Sequence, residues 1–294
     1  MREAAMEVIK TGKALGAEII GIDLSLNVSK ADQTFIFDAY TDNLVLLFKG
    51  QSLSFDDLLR LREVFGTAGL TANQLLGLGR KKYYPDEVPD DITIISNIIE
   101  EGGRPRGSLG DGDAFWHTDS SFTEVPVSAS LLHAIEVSDE GGETSFLNMY
   151  QAYDDLPERL RIKVDGQFAN HSKAHSSDGS LRPEYEEPTN PATCPGIKHP
   201  MVRVHPATSR KCLYLGRRLN SYIFGLSLDE SEELLDELWA HSCQDKYVWE
   251  HKWEVGDILV WDNRCTMHHR NAFPSEARRL MHKSITAGEA VIAG

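Results

Sequence analysis

The residues of this chain that could do chemistry lie in two short runs far apart in sequence. The first is Phe115-Trp116-His117-Thr118-Asp119; the second is Trp261-Asp262-Asn263-Arg264-x-x-x-His268. An apolar and aromatic setting interrupted by His-x-Asp reads as a strand edge or a strand-to-loop junction. Side chains two apart on a strand point to one face, so His117 and Asp119 can reach a shared point. With a second histidine they would make the two-His-one-carboxylate set that holds Fe(II) and leaves positions open for a cosubstrate and O2. This is the single His-x-Asp or His-x-Glu among eleven histidines. The second run offers two adjacent candidates, His268 and His269, and neighbours on a strand face opposite ways, so only one can join.

The elements that must position these groups read as mainly β with flanking helices. Asn43 to Phe48, Ile92 to Ile99, Ala129 to Val137, Thr144 to Leu147, Asp257 to Trp261 and Arg278 to Thr286 are short apolar or β-branched runs. Ser54-x-x-Asp57 and Ser227-x-x-Glu230 are capping-box starts of amphipathic helices, and Ala31 to Tyr40 has helical spacing. Lys198 to Val204 and Lys211 to Leu215 are expected to pair. Phe168 to Gly196 is rich in Ser, Pro, Asn and Asp with no sustained period, and such a length inside a compact domain is expected to be a lid over the pocket. Many short strands with turn signals suggest a β-barrel or jelly roll with helices outside.

Composition narrows the function classes. At 294 residues, with no linker and no repeat, one domain over 1–294 is expected. The net charge of -15 argues against a nucleic-acid or anionic-membrane partner, both of which need a basic surface. An anionic small molecule remains compatible with a locally basic pocket. The four cysteines (Cys194, Cys212, Cys243, Cys265) contain no Cys-x-x-Cys pair, so reduced cytoplasmic thiols are expected. Met1 to Lys10 is charged and no apolar run could span a bilayer, so neither a signal peptide nor a membrane span is expected. A homo-oligomer is expected.

Taken in order, Trp116-His117-Thr118-Asp119, Gly141-Gly142-Glu143-Thr144, His199-Pro200 to His205-Pro206, Trp261 to His268 and Arg278-Arg279 to His282 cover nearly the whole chain. In them the sequence resembles the taurine dioxygenase and dichlorophenoxyacetate dioxygenase family of Fe(II)/2-oxoglutarate-dependent oxygenases. The resemblance implies a double-stranded β-helix with His117, Asp119 and His268 as iron ligands. It further implies that Arg279 and Thr144 bind 2-oxoglutarate. A buried guanidinium suits the distal carboxylate because it can form two parallel hydrogen bonds. Lys283 stands where the family commonly has an arginine gripping the primary substrate; the charge is kept and the fork is lost. Lys81, Tyr84, Asp113 and Leu219 are placed by the resemblance around the substrate pocket. Asp113 and Leu219 stand where taurine dioxygenases carry a carboxamide and an aromatic, which argues against taurine and for a larger acid, an aryloxyalkanoate or an alkyl sulfonate or sulfate. The remaining histidines are read as surface or structural, with His199 and His205 the strongest exceptions. Two other classes stay open on the residues alone: a cupin-like metal-binding protein without oxygenase activity, and a metal-dependent hydrolase.

Overall fold

The computed structural model describes residues 6–75, 77 and 87–294. The chain opens with β1 (Glu7–Lys10), β2 (Ala17–Ile20), α1 (Lys30–Asn43), β3 (Val45–Phe48), α2 (Phe55–Phe65) and α3 (Ala72–Leu75). Next come β4 (Thr93–Ser96), β5 (Ser108–Leu109), β6 (Ala114–His117), β7 (Ala129–Glu136) and β8 (Thr144–Asn148). Helices α4 (Met149–Asp154) and α5 (Glu158–Val164) lead to β9 (Phe168–Ser172), β10 (Gly196–Pro200), β11 (Val202–Val204), β12 (Lys211–Leu213) and β13 (Tyr222–Ile223). The last part holds α6 (Leu228–Ser242), β14 (Val248–His251), β15 (Ile258–Asp262), β16 (Thr266–Arg270), β17 (Leu280–Ile285) and β18 (Ile292–Ala293).

Two sheets carry the architecture among the described residues. One runs β1-β2-β3-β15-β7-β17-β4-β5, and the other runs β14-β8-β16-β6. The period of two along β15 shows how they pack. Leu259 and Trp261 point into a cluster shared with Phe146 and Trp249 of the smaller sheet. Ile258 and Val260 point the other way, into a cluster with Ile36, Leu58 and Leu61 of α1 and α2. One face of the large sheet therefore meets the small sheet and the other is covered by helices. Each such fully buried aliphatic or aromatic side chain contributes about 1.5–3 kcal/mol. Both predicted capping boxes form: Ser54 with Asp57 and Ser227 with Glu230 exchange side-chain and backbone bonds in both directions. No helix among the described residues is long and apolar enough to cross a membrane.

Two expectations change. The segment 168–196 is not irregular throughout, because its first five residues form β9, paired with β10 on one side and β13 on the other. Ala169, Asn170, His171 and Ser172 are all buried, and three of these four are polar, which hides the strand from a hydrophobicity pattern. Asn170 meets its obligation by donating to the Cys194 carbonyl at 2.9 Å. The run Lys198 to Val204 is broken at Met201: β10 pairs with β9, and only β11 pairs with β12.

Candidate active site

β6 lies beside β16, and the register sets His117 directly opposite His268. Facing residues of an antiparallel pair hold their Cβ atoms about 4.5–5.5 Å apart, and these two imidazole centroids are 4.1 Å apart. A register shift between His268 and Arg270 bends β16 beside the site. Asp119 reaches the same point by another route than strand alternation. β6 ends at His117, and the chain turns through Thr118, whose N–H donates to the Gly216 carbonyl at 3.1 Å. Ser120 follows with a φ of 53°, a left-handed conformation held by two hydrogen bonds from Thr123 to its carbonyl. Asp119 Oδ1 then lies 3.7 Å from His117 Nε2 and 3.9 Å from His268 Nε2.

Each of these pairs is within the roughly 4.2 Å that two metal–ligand bonds of about 2.1 Å can bridge. His117 Nδ1 is 2.6 Å from the Phe115 carbonyl, which places its proton there and leaves the Nε2 lone pair facing Asp119. The His268 ring sits between Phe146 and Trp261, with centroids 6.2 Å and 4.8 Å away. His269 faces the opposite way, against Trp116. The donor set and its geometry fit one divalent ion.

Burial holds the His117 imidazole below its ordinary value despite Asp119, and holds His268 well below, aided by the neighbouring His117. Both are neutral at pH 7 and can donate lone pairs. Burial alone would raise the Asp119 carboxyl, but Lys283, His268 and His117 together keep it well below the usual range. The second oxygen, Oδ2, is already committed. It accepts from Ser130 Oγ at 2.7 Å and from Lys283 Nζ at 2.5 Å. Ser130 in turn accepts from Asn263 Nδ2 at 2.9 Å, and Asn263 Oδ1 accepts from Trp261 Nε1 at 3.0 Å. Oδ1 is thereby left for a metal. Ser130 and Asn263 were not singled out from the sequence; Asn263 lay inside the Trp261-Asp262-Asn263 run and Ser130 gave no signal.

At the far end of the small sheet, Thr144 faces Arg270 of β16 and His251 of β14. Its hydroxyl accepts from Trp253 Nε1 at 2.9 Å, leaving its own proton to donate. Arg279 is 2% exposed, beside Gly142, where a Cβ would lie 3.5 Å from its Nε. The Arg279 guanidinium has no hydrogen bond or carboxylate among the described residues. Burial, with Arg270 nearby, pushes it down to about 9, still cationic at neutral pH. A buried cation without a counter-charge is costly and is a waiting anion site. Arg270 itself is spent on the carbonyls of Leu109, Gly110 and Gly112, which anchor the glycine-rich loop.

A cavity of about 320 Å³ opens on His117 and Asp119. Its walls include Ile95, Leu109, Phe122, Leu181 and Ile285, with Ser176 to Glu184 along one side and Arg182, Arg217 and Lys283 as its cations. The segment after β9 is pinned there: Phe115 N–H donates to the Ser177 carbonyl at 2.8 Å, and Arg182 N–H to Ala174 at 2.8 Å. Two residues expected around the pocket do not line it. Asp113 is exposed and accepts from the Ala272 N–H at 2.8 Å, and Leu219 is 39% exposed. Lys81 and Tyr84 lie outside the described residues.

A second convergence of possible donors, His205, Asp262 and Cys265, is buried. His205 Nδ1 accepts from the Ala207 and Thr208 N–H groups, and Nε2 donates to Asp262 at 3.0 Å. Arg264 takes both Asp262 oxygens. His205 and Asp262 are thus already committed to hydrogen bonds, so this is a structural lock on the turn after β15. His199 is likewise spent, on the Thr123 carbonyl at 2.8 Å.

Packed β-sheets that gather two neutral imidazoles and a carboxylate beside a cavity, with a buried arginine that has no charge partner among the described residues, define a class of protein with one divalent-metal site and an anion site near it. The family model described as "Taurine catabolism dioxygenase TauD, TfdA family" matches residues 7–284, and the chain belongs to that family. It is a 2-oxoglutarate (α-ketoglutarate)-dependent dioxygenase, which removes the cupin-like and hydrolase alternatives. It is 33% identical over 269 residues to an alpha-ketoglutarate-dependent 2,4-dichlorophenoxyacetate dioxygenase of Burkholderia sp. (strain RASC), covering 89% of this chain and 87% of that one. An alpha-ketoglutarate-dependent sulfate ester dioxygenase of Pseudomonas putida is 30% identical over 292 residues, covering 97% and 90%. Among solved structures, a taurine dioxygenase from Burkholderia xenovorans superposes with a TM-score of 0.78 at 26% identity, covering 99% of this chain and 92% of that one.

Proposed function

We propose that His117, Asp119 and His268 hold Fe(II), that Arg279 and Thr144 receive the distal carboxylate of 2-oxoglutarate, and that the enzyme hydroxylates a small anionic organic acid. The substrate class is that of an aryloxyalkanoate, alkyl sulfonate or alkyl sulfate, in keeping with relatives named for a dichlorophenoxyacetate and for sulfate esters. One observation carries the reading: His117 faces His268 in register with the Asp119 oxygen in reach of both. The packed sheets are read as a double-stranded β-helix, and residues 173–195 as the lid. Four unpaired thiols, three of them buried, suit a reducing cytoplasm.

Bound Fe(II) would supply O2 activation coupled to decarboxylation of 2-oxoglutarate into succinate and CO2. The chain's own residues do the rest. His117 and His268 offer neutral lone pairs, and Ser130 with Lys283 keeps one Asp119 oxygen turned away, so that coordination is one-sided. Arg279 fixes the cosubstrate by its far end. The apolar walls of Ile95, Leu109, Phe122 and Ile285 exclude water and hold the carbon to be oxidised. Where that carbon bears an ether or ester oxygen, the hydroxylated product falls apart and the substrate is cleaved. Screening aryloxy, sulfonate and sulfate acids for substrate-dependent succinate release tests this. Release is expected from at least one class and should vanish in His117→Ala. Substrate-stimulated succinate formation persisting in His117→Ala would refute the metal assignment.

A further inference from the structure

The cavity holds more positive charge than the cosubstrate reading uses. Arg217 is 8% exposed, lines the cavity, and sits beside the metal ligands by backbone geometry: it forms an antiparallel bridge with His117. Its Nη1 donates to the His175 carbonyl at 2.6 Å, while its Nε is buried without a partner among the described residues. No carboxylate pairs with it there. Arg182 lies next to it along the same wall, with its guanidinium 4.1 Å from the centre of the Phe122 ring and Nη1 on the Lys173 carbonyl at 2.7 Å. It too has no ion pair among the described residues. The acids of that wall are Asp178 and Glu184. Asp178 accepts from the Ser180 N–H and hydroxyl. Burial and the neighbouring Arg182 push Arg217 down to about 10 against the opposing pull of Asp119 and Asp178, neither of which forms an ion pair with it among the described residues. Lys283, by contrast, already has its partner in Asp119 Oδ2.

We propose that the anionic group of the primary substrate is gripped by Arg217, with Arg182 beside it, and that Lys283 serves instead to orient Asp119. This rests on the reading of the site as a dioxygenase for an anionic acid and names its specificity residues. A carboxylate or a sulfate can each take the unspent Nε edge of the Arg217 fork. The bridge to His117 fixes that edge relative to the metal ligands. Phe122, against which Arg182 lies, and Leu181 form the adjoining apolar wall, so an acid with an aromatic or alkyl body would lie between the clamp and the metal site.

The test is calorimetric binding of 2,4-dichlorophenoxyacetate, octyl sulfate and neutral 2-(2,4-dichlorophenoxy)ethanol to the anaerobic Fe(II)–2-oxoglutarate enzyme. Arg217→Gln, Arg217→Lys and Arg182→Gln are compared with the unaltered protein. Arg217→Gln should weaken the bound anion about 10–100-fold, the worth of a hydrogen bond to a charged group, and leave the neutral alcohol within about twofold. Arg217→Lys, which keeps the charge and tests folding, should fall between. The dissociation constant for 2-oxoglutarate, titrated separately, should stay within about twofold in all variants, unlike the effect of a general structural lesion. Anion binding unchanged in folded Arg217→Gln overturns the proposal while leaving the dioxygenase reading intact. Equal losses for the anion and the alcohol overturn it as well. If neither anion binds the unaltered enzyme, the substrate class and the clamp fall together. Whether the carboxylate or the sulfate ester binds more tightly decides which anion the clamp serves.

Discussion

Replacing Ser130 with alanine removes a group that never touches the metal yet should weaken it. Ser130 is fully buried, donates to Asp119 Oδ2 at 2.7 Å and accepts from Asn263 Nδ2 at 2.9 Å. Losing a hydrogen bond to a carboxylate costs about 1.5–3 kcal/mol. Lys283 still holds the same oxygen, so the low end applies, and metal affinity should fall about tenfold. The stranded Asn263 amide should also lower folding stability by about 1–2 kcal/mol. Anaerobic competition titration with Co(II) reads the affinity, and urea unfolding of the metal-free protein reads the stability. Metal affinity within about twofold of the unaltered protein, in a folded Ser130→Ala variant, would refute the claim that this network aims Oδ1.

Three further outcomes are expected. Arg279→Met removes a buried cation with no counter-charge among the described residues, so thermal denaturation of the ligand-free protein should show unchanged or higher stability. Its Michaelis constant for 2-oxoglutarate should rise about 100-fold or more, and an unchanged constant would point to another anchor. Gly179 has a φ of 79°, and a Cβ there would lie 2.9 Å from Phe115 Cε2. Gly179→Ala should therefore loosen 173–195 at a cost of about 1–2 kcal/mol, seen as faster limited proteolysis within that segment. His282, packed 4.7 Å from the Phe55 ring, is pushed down to about 4 by burial and by His133. Its folded value lies below the unfolded one, so its contribution is present above about pH 6.5 and is lost as pH falls toward 4. His282→Gln should flatten the loss of stability across that window by up to about 3 kcal/mol; an identical pH profile would contradict the buried neutral histidine.

Much of the fold was legible because its signals are local. Ser54 and Ser227 announce helices three residues before the acids that complete their caps, and β15 reads as a strand from its four apolar or aromatic positions, Ile258 to Trp261. β9 was not legible: Asn170, His171 and Ser172 are buried by partners that come from β10 and β13. The site divides in the same way. His117 and Asp119 are neighbours in the chain and could be paired by spacing, although a turn rather than strand alternation brings Asp119 round. The family resemblance makes Lys283 a substrate cation, and in the structure its ammonium meets Asp119. Arg217 and Arg182 carry no pattern that separates a cavity arginine from a surface one.

The sequence by itself determined which residues could bind a metal and the order of the strands and helices that bear them. Those are matters of residue type and of periods of two and 3.6, which a chain displays before it folds. Only the tertiary structure decided that His268 faces His117, that Ser130 and Lys283 take one Asp119 oxygen, and that two arginines of the cavity wall have no ion pair among the described residues. Register and burial arise from packing between segments distant in the chain. A charge is ordinary or costly only according to what that packing sets beside it.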